Sequence, residues 1–155
     1  MSFQATASRD IPDEGSPNAE TGTHALDPLR PLLAGAHARG MADALEMAGI
    51  AFLMVDAQGM VLHAGPAARA LMGADLRIEF DHLVAASGEA TCAIQSMVMA
   101  GLSQGEAPQP LRLARGEGAP LILTVRRVPG AAGNVYQMLK LLILIEQAVY
   151  SGVRN

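Results

Sequence analysis

The chain is 155 residues long, half of them hydrophobic, with a formal net charge of −4 and one cysteine. That length buries one core of ordinary size and leaves little for a second domain, and the lone Cys92 excludes an internal disulfide and a cysteine-based metal site while fitting a reducing, cytoplasmic compartment. Arg9 is the only basic residue before position 29, against Asp10, Asp13, Glu14, Glu20 and Asp27, so the remainder is formally neutral and lacks the basic cluster that direct nucleic-acid binding requires.

Residues 1–28 are polar and acidic with almost nothing to bury, which predicts a disordered acidic tail. The opening MSFQATASRD has neither the basic nor the apolar region of a secretory signal. Over residues 29–49, Leu29, Leu32, Leu33, Ala36, Met41, Ala44, Leu45 and Ala48 recur at helical spacing and predict an amphipathic flanking helix ended by Gly49. Gly35 and Gly40 weaken it by about 1 kcal/mol each relative to Ala, so packing has to hold it. It either lies over the sheet of its own subunit or serves as a dimerisation and signal-transmitting helix.

Residues 50–146 form the predicted domain. Ile50 to Val55 is an apolar run too short for a helix and is expected to be a buried strand. Asp56 to Gly59 makes a four-residue turn with Gly59 at positive φ, Met60 to Ala64 is the partner strand, and Gly65 with Pro66 starts a helix over residues 67–72. Asp75–Ile78 and His82–Ala85 flank Glu79, Phe80 and Asp81 as a short hairpin. Ser87 offers a cap to a helix over residues 90–102, whose face of Ile94, Met97, Val98, Gly101 and Leu102 is expected to line a cavity. Pro110 to Arg115 alternates with Leu111 and Leu113 inward, and Leu121 to Val128 sets Leu121, Leu123 and Val125 against Ile122, Thr124 and Arg126. Val135 to Glu146 is the expected last strand, with Leu139, Leu141, Ile143 and Ile145 on one face and Met138, Lys140, Leu142 and Leu144 on the other. Residues 147–155 are a C-terminal tail. The most apolar run, Leu139 to Ile145, contains Lys140 and falls far short of the ~20 residues a membrane helix needs, so no membrane partner is expected.

Two stretches, ALEMAGIAFLMVDAQGMVLHAGPAARALMGADLRIEFDHLVAA and PLRLARGEGAPLILTVRRVP, resemble the PAS sensor modules that precede the helix-turn-helix domain of bacterial LuxR-type regulators. The resemblance spans Ala42 to Glu146 and implies an α+β fold. In that fold a five-stranded antiparallel sheet carries helices on one face and is flanked by the N-terminal amphipathic helix. It implies a sensory module for signal transduction and transcription regulation, which binds a small apolar ligand or a protein partner and signals through dimer or partner contacts. Where the family usually carries an Asn that caps the helix after the second strand, this chain has Gly65, which offers no side-chain acceptor. The chain stops at Asn155 without room for a recognition helix, so output is expected through a regulatory partner protein. A non-sensing interaction scaffold and a small-molecule carrier are the alternatives.

No nucleophile elbow, metalloprotease helix or phosphate loop is present, and no enzymatic activity is expected. Proteins of the PAS family can hold haem or flavin between sheet and helices. Here Cys92 lacks the Asn-Cys-Arg motif of flavin-binding members and is expected to be a small core residue, and the helix over 90–102 has no histidine to ligate haem. Neither cofactor is expected, although His63 and His82 could face the cavity. The candidate pocket lining is Phe52, Met54, His63, Leu71, Ile94, Met97, Val98, Leu123, Val125, Leu141 and Ile143. The two apolar faces of the last strand exceed what one core needs, which predicts a homodimer through Leu32, Leu33, Met41, Leu45, Ile122, Met138, Leu142 and Leu144. Arg126 and Lys140 would lie at its rim or pair with Asp43 or Glu46.

Overall fold

The computed structural model of the chain describes residues 30–130 and 137–149. The predicted acidic tail and most of the C-terminal tail lie outside them, as do residues 131–136, which include the expected start of the last strand. The first helix, α1, runs Arg30–Met47. It ends where the sequence requires: the Gly49 N–H donates to the Glu46 carbonyl at 3.0 Å and the Ile50 N–H to that of Leu45 at 3.0 Å, with Gly49 at φ 68°. These paired bonds satisfy two terminal carbonyls, and the left-handed residue between them suits glycine. Ile50 is thereby drawn into the helix end, so the first strand, β1, begins at Phe52 rather than Ile50 and runs Phe52–Val55.

The buried Asp56 accepts from the Gln58 and Met60 N–H groups, each at 2.8 Å, and folds the chain with Gly59 at φ 82° into β2, Val61–Ala64. Pro66, at the first position, opens α2, Pro66–Met72. A separate two-stranded hairpin follows, β3 Leu76–Glu79 and β4 His82–Ala85. Ser87 accepts from the Ala90 N–H at 3.2 Å and caps α3, Gly88–Leu102. The remaining strands are β5 Leu111–Leu113, β6 Leu121–Arg127 and β7 Leu141–Gln147. The fold is α+β: β2-β1-β7-β6-β5 form one five-stranded sheet, antiparallel throughout.

Strand pairing fixes the two faces. Leu53 opposite Ile143 and Val55 opposite Leu141 join Leu121, Leu123, Val125 and Ile145 on the inner face, which packs on Ala68, Met72, Leu76, Leu83, Ile94, Met97 and Val98. The approach of α3 is close enough that a Cβ at Gly101 would lie 2.6 Å from Val125 Cγ1 and 3.2 Å from Leu141 Cδ1. On the outer face, Phe52, Met54, Val128 and Leu139 cluster with Ala42 of α1, and Ala38, Met41, Leu45, Leu142 and Leu144 are partly buried against them.

Leu139 leaves the alternation expected for the last strand. Regular pairing starts only at Leu141, so Leu139 is free to turn to the outer cluster and away from Ile143 and Ile145. At the other end the strand outruns its expected limit to Gln147, and the buried Ala148 donates to the Pro120 carbonyl at 2.8 Å. Cys92 is exposed on α3, not in the core, because the buried stripe of that helix is Ile94, Met97, Val98 and Gly101. No helix among the described residues is long and apolar enough to cross a membrane.

Candidate functional site

Among the described residues a space adjoins each face of the sheet. The inner one, about 200 Å³, lies between the β1–β2 turn, β4 and α3, and is lined by Val55, Val61, Leu83, Ile94, Val98 and Ile143, with exposed His82, Gln95 and Met99. Of the predicted lining, Ile94, Val98 and Ile143 are here. Met97, Leu123, Val125 and Leu141 are buried in the surrounding core and Leu71 is partly buried against it. A volume of 200 Å³ falls below the roughly 300–1,000 Å³ of a drug-sized ligand site.

Phe52, Met54 and His63 do not line that interior and belong to the opposite face. All four residues of β1 are buried, so its composition cannot tell one face from the other; the register does, by setting Phe52 opposite Leu144 and Met54 opposite Leu142. His63 pairs with Met54 across β2, and Phe52 and His63 hold their rings 5.7 Å apart, tilted at 40°. An irregularity between Met54 and Val55 leaves Leu62 without an opposite residue and turns it to the outer side.

Here the second space opens, a groove of about 560 Å³ between α1 and the β1–β2 edge. One wall is α1, through Ala34, Gly35, Ala38 and Ala42; the facing wall is Met54, Leu62, Met138 and Leu139. The α1 residues are small and leave the space unfilled. The polar groups are Arg39, Asp43, Glu46 and His63. His63 Nε2 lies 2.8 Å from Glu46 Oε1, and this bond spans from the edge strand to the helix. Arg39 Nε donates to Asp43 Oδ1 at 3.1 Å along the helix.

Two of the predicted ion-pair partners are therefore engaged elsewhere: Asp43 holds Arg39 and Glu46 holds His63, while Arg126 is exposed on β6. The residues expected at a dimer contact divide. Leu32 is 70 % and Leu33 61 % exposed on α1, and Met138 is exposed. Met41, Leu45, Leu142 and Leu144 are partly buried in the outer cluster, and Ile122 is half-buried between Arg112 and Glu146.

Glu46 and Arg39 line the groove without having been expected there. Their spacing with Asp43, at three and four residues, was the available signal, since it sets all three on one helical stripe. Among the described residues no three His, Cys, Asp or Glu side chains gather as a metal site would require. No protein-family model matches the chain, and no curated protein matches it in sequence.

Proposed function

We propose that the chain is a PAS-type sensory or regulatory module in signal transduction, without catalysis of its own, which binds a small molecule or a protein and passes that state on through a homodimer and a regulatory partner. The observation that carries this reading is the outer face of the sheet. Leu142 and Leu144 stay half-buried there, Ile122 is uncovered by any described helix, and α1 covers only part of the face while exposing Leu32 and Leu33. Half-covered apolar residues on an outer sheet face, with exposed leucines on the adjoining helix, are what an interaction site presents, and a twofold dimer is the commonest oligomeric symmetry. A helix tied to an edge strand by the Glu46–His63 bond is also an element whose position a ligand or partner can bias.

Native mass spectrometry of the chain purified from its own host tests the reading, since bound ligand and assembly state are weighed together. A dimer or a complex with another protein is expected, and a bare monomer would overturn it. The interior space of only about 200 Å³ favours a second reading, a docking scaffold with a filled core, which expects the same assembly at every ligand concentration.

A further inference from the structure

We infer that the groove between α1 and the β1–β2 edge is a binding site for an amphipathic small molecule, with an aliphatic body and a hydrogen-bond-donating, amine-type head. As the ligand of the regulatory module it rests on the reading above, but the binding itself is tested apart from it. The volume, about 560 Å³, lies within the range of ligand sites and well above that of the interior space. The lining explains why the space persists. Ala34, Gly35, Ala38 and Ala42 recur along the sheet-facing side of α1, and a Cβ at Gly35 would meet nothing within 4 Å. Across from them Met54 and Leu139 are almost wholly buried, so the far wall is apolar, and methionine adapts its shape to what packs on it.

The polar end selects the head group. Arg39 and Asp43 offset each other's charge and are the more exposed pair, so the head group is assigned to Glu46 and His63. Glu46 Oε1 meets His63 Nε2, and the second carboxylate oxygen of Glu46 remains an acceptor; a neutral imidazole would add Nδ1 as another. A carboxylate acceptor at the groove favours an ammonium head, or a hydroxyl less strongly, and opposes a carboxylate head. A second copy of the chain fits less well. A dimer through Leu32, Leu33, Leu142 and Leu144 leaves the groove open, since none of the four lines it.

The test is isothermal titration of the full chain with dodecylamine, dodecanol and dodecanoate below their micelle concentrations. Saturable binding of one dodecylamine per chain is expected, with dodecanoate weaker by about tenfold or more, as one charge-assisted hydrogen bond implies. Ala38→Phe, which fills the groove, should abolish binding. Gly35→Leu fills it from the neighbouring turn and keeps the test open if the first variant does not fold. Glu46→Gln should remove the preference for the amine, and Gln95→Trp, at the interior space, should change nothing. No saturable binding, binding that survives both groove-filling variants, or binding lost in Gln95→Trp would overturn the site. Dodecylamine that dissociates a dimer would assign the groove to a second copy and overturn it too. A chain that binds dodecylamine but stays a bare monomer in its host would keep the site and refute the regulatory module.

Discussion

The ring of Phe52 occupies the space where a side chain on residue 65 would begin: a Cβ at Gly65 would lie 2.7 Å from Phe52 Cε1 and 3.0 Å from Cδ1. Gly65 N–H also donates to the Phe52 carbonyl at 3.0 Å, which locks the two residues together. The missing cap of α2 follows from this. Gly65 has extended backbone, φ −63° and ψ 153°, that any residue could adopt, so conformation does not call for glycine there and the packed ring does. Gly65→Asn would gain about 1 kcal/mol from capping and lose about 1–3 kcal/mol from overpacking a fully buried ring. A net loss of stability in urea unfolding is expected. In a Phe52→Leu background the same substitution should become neutral or stabilising, a coupling that a double-mutant cycle measures.

Two helical glycines should respond in opposite directions to alanine. Gly101→Ala drives a methyl into Val125 and Leu141 and is expected to cost about 1–3 kcal/mol despite the better helix propensity. Gly35→Ala meets nothing within 4 Å and should stabilise α1 by up to about 1 kcal/mol. Helicity and melting temperature of the pair read this out, and equal effects would contradict the close approach of α3 alone.

The turn between β3 and β4 places Phe80 at φ 48° and Asp81 at φ 62°, both left-handed, and leaves Phe80 95 % exposed. A two-residue turn of this kind favours Asn-Gly, and a bulky residue in that region costs about 1–2 kcal/mol. The Asp81 carbonyl accepts from the Val61 N–H across to β2, a bond that Asn-Gly would keep. Phe80→Asn with Asp81→Gly is therefore expected to raise stability by about 1–2 kcal/mol. An unchanged or lower unfolding midpoint would count against the turn geometry.

Asp75 ties the end of α2 to the turn after β5. It accepts from the Gly116 N–H at 3.2 Å and from Arg115 Nε at 3.1 Å, and these two partners, the backbone bond first, hold its pKa below the ordinary 3.8. A lowered folded pKa makes the folded state bind the proton less tightly than the unfolded chain. The stability this carboxylate contributes is present above 3.8 and lost as pH falls through the lower folded value. The stability gap between wild type and Asp75→Asn should thus be constant near neutral pH and narrow in acid; a gap that widens in acid would contradict the assignment.

Much of this architecture was legible because local chemistry and burial agree. Gly49, Gly59, Pro66 and Ser87 each sit at a boundary that their backbone preferences dictate, and β6 alternates cleanly between Leu121, Leu123, Val125 and Ile122, Thr124, Arg126. The misplaced residues fall where alternation carries no information. In β1 four consecutive apolar residues are buried on both faces, so Phe52 and Met54 went to the wrong side, and His63 went with them. Cys92 is small and apolar enough for either side of α3, and only the phase of its buried stripe decides. The groove was invisible from the sequence, since it depends on how far α1 stands from the sheet.

As proposed above, the half-covered outer face of the sheet is an interface between copies of the chain. Sedimentation equilibrium of wild type and of Leu142→Glu with Leu144→Glu tests it most directly, because both leucines are only partly buried and the inner core does not depend on them. A dimeric wild type at micromolar concentration and a folded, monomeric double mutant are expected. A monomeric wild type, or a double mutant that stays dimeric, would contradict it.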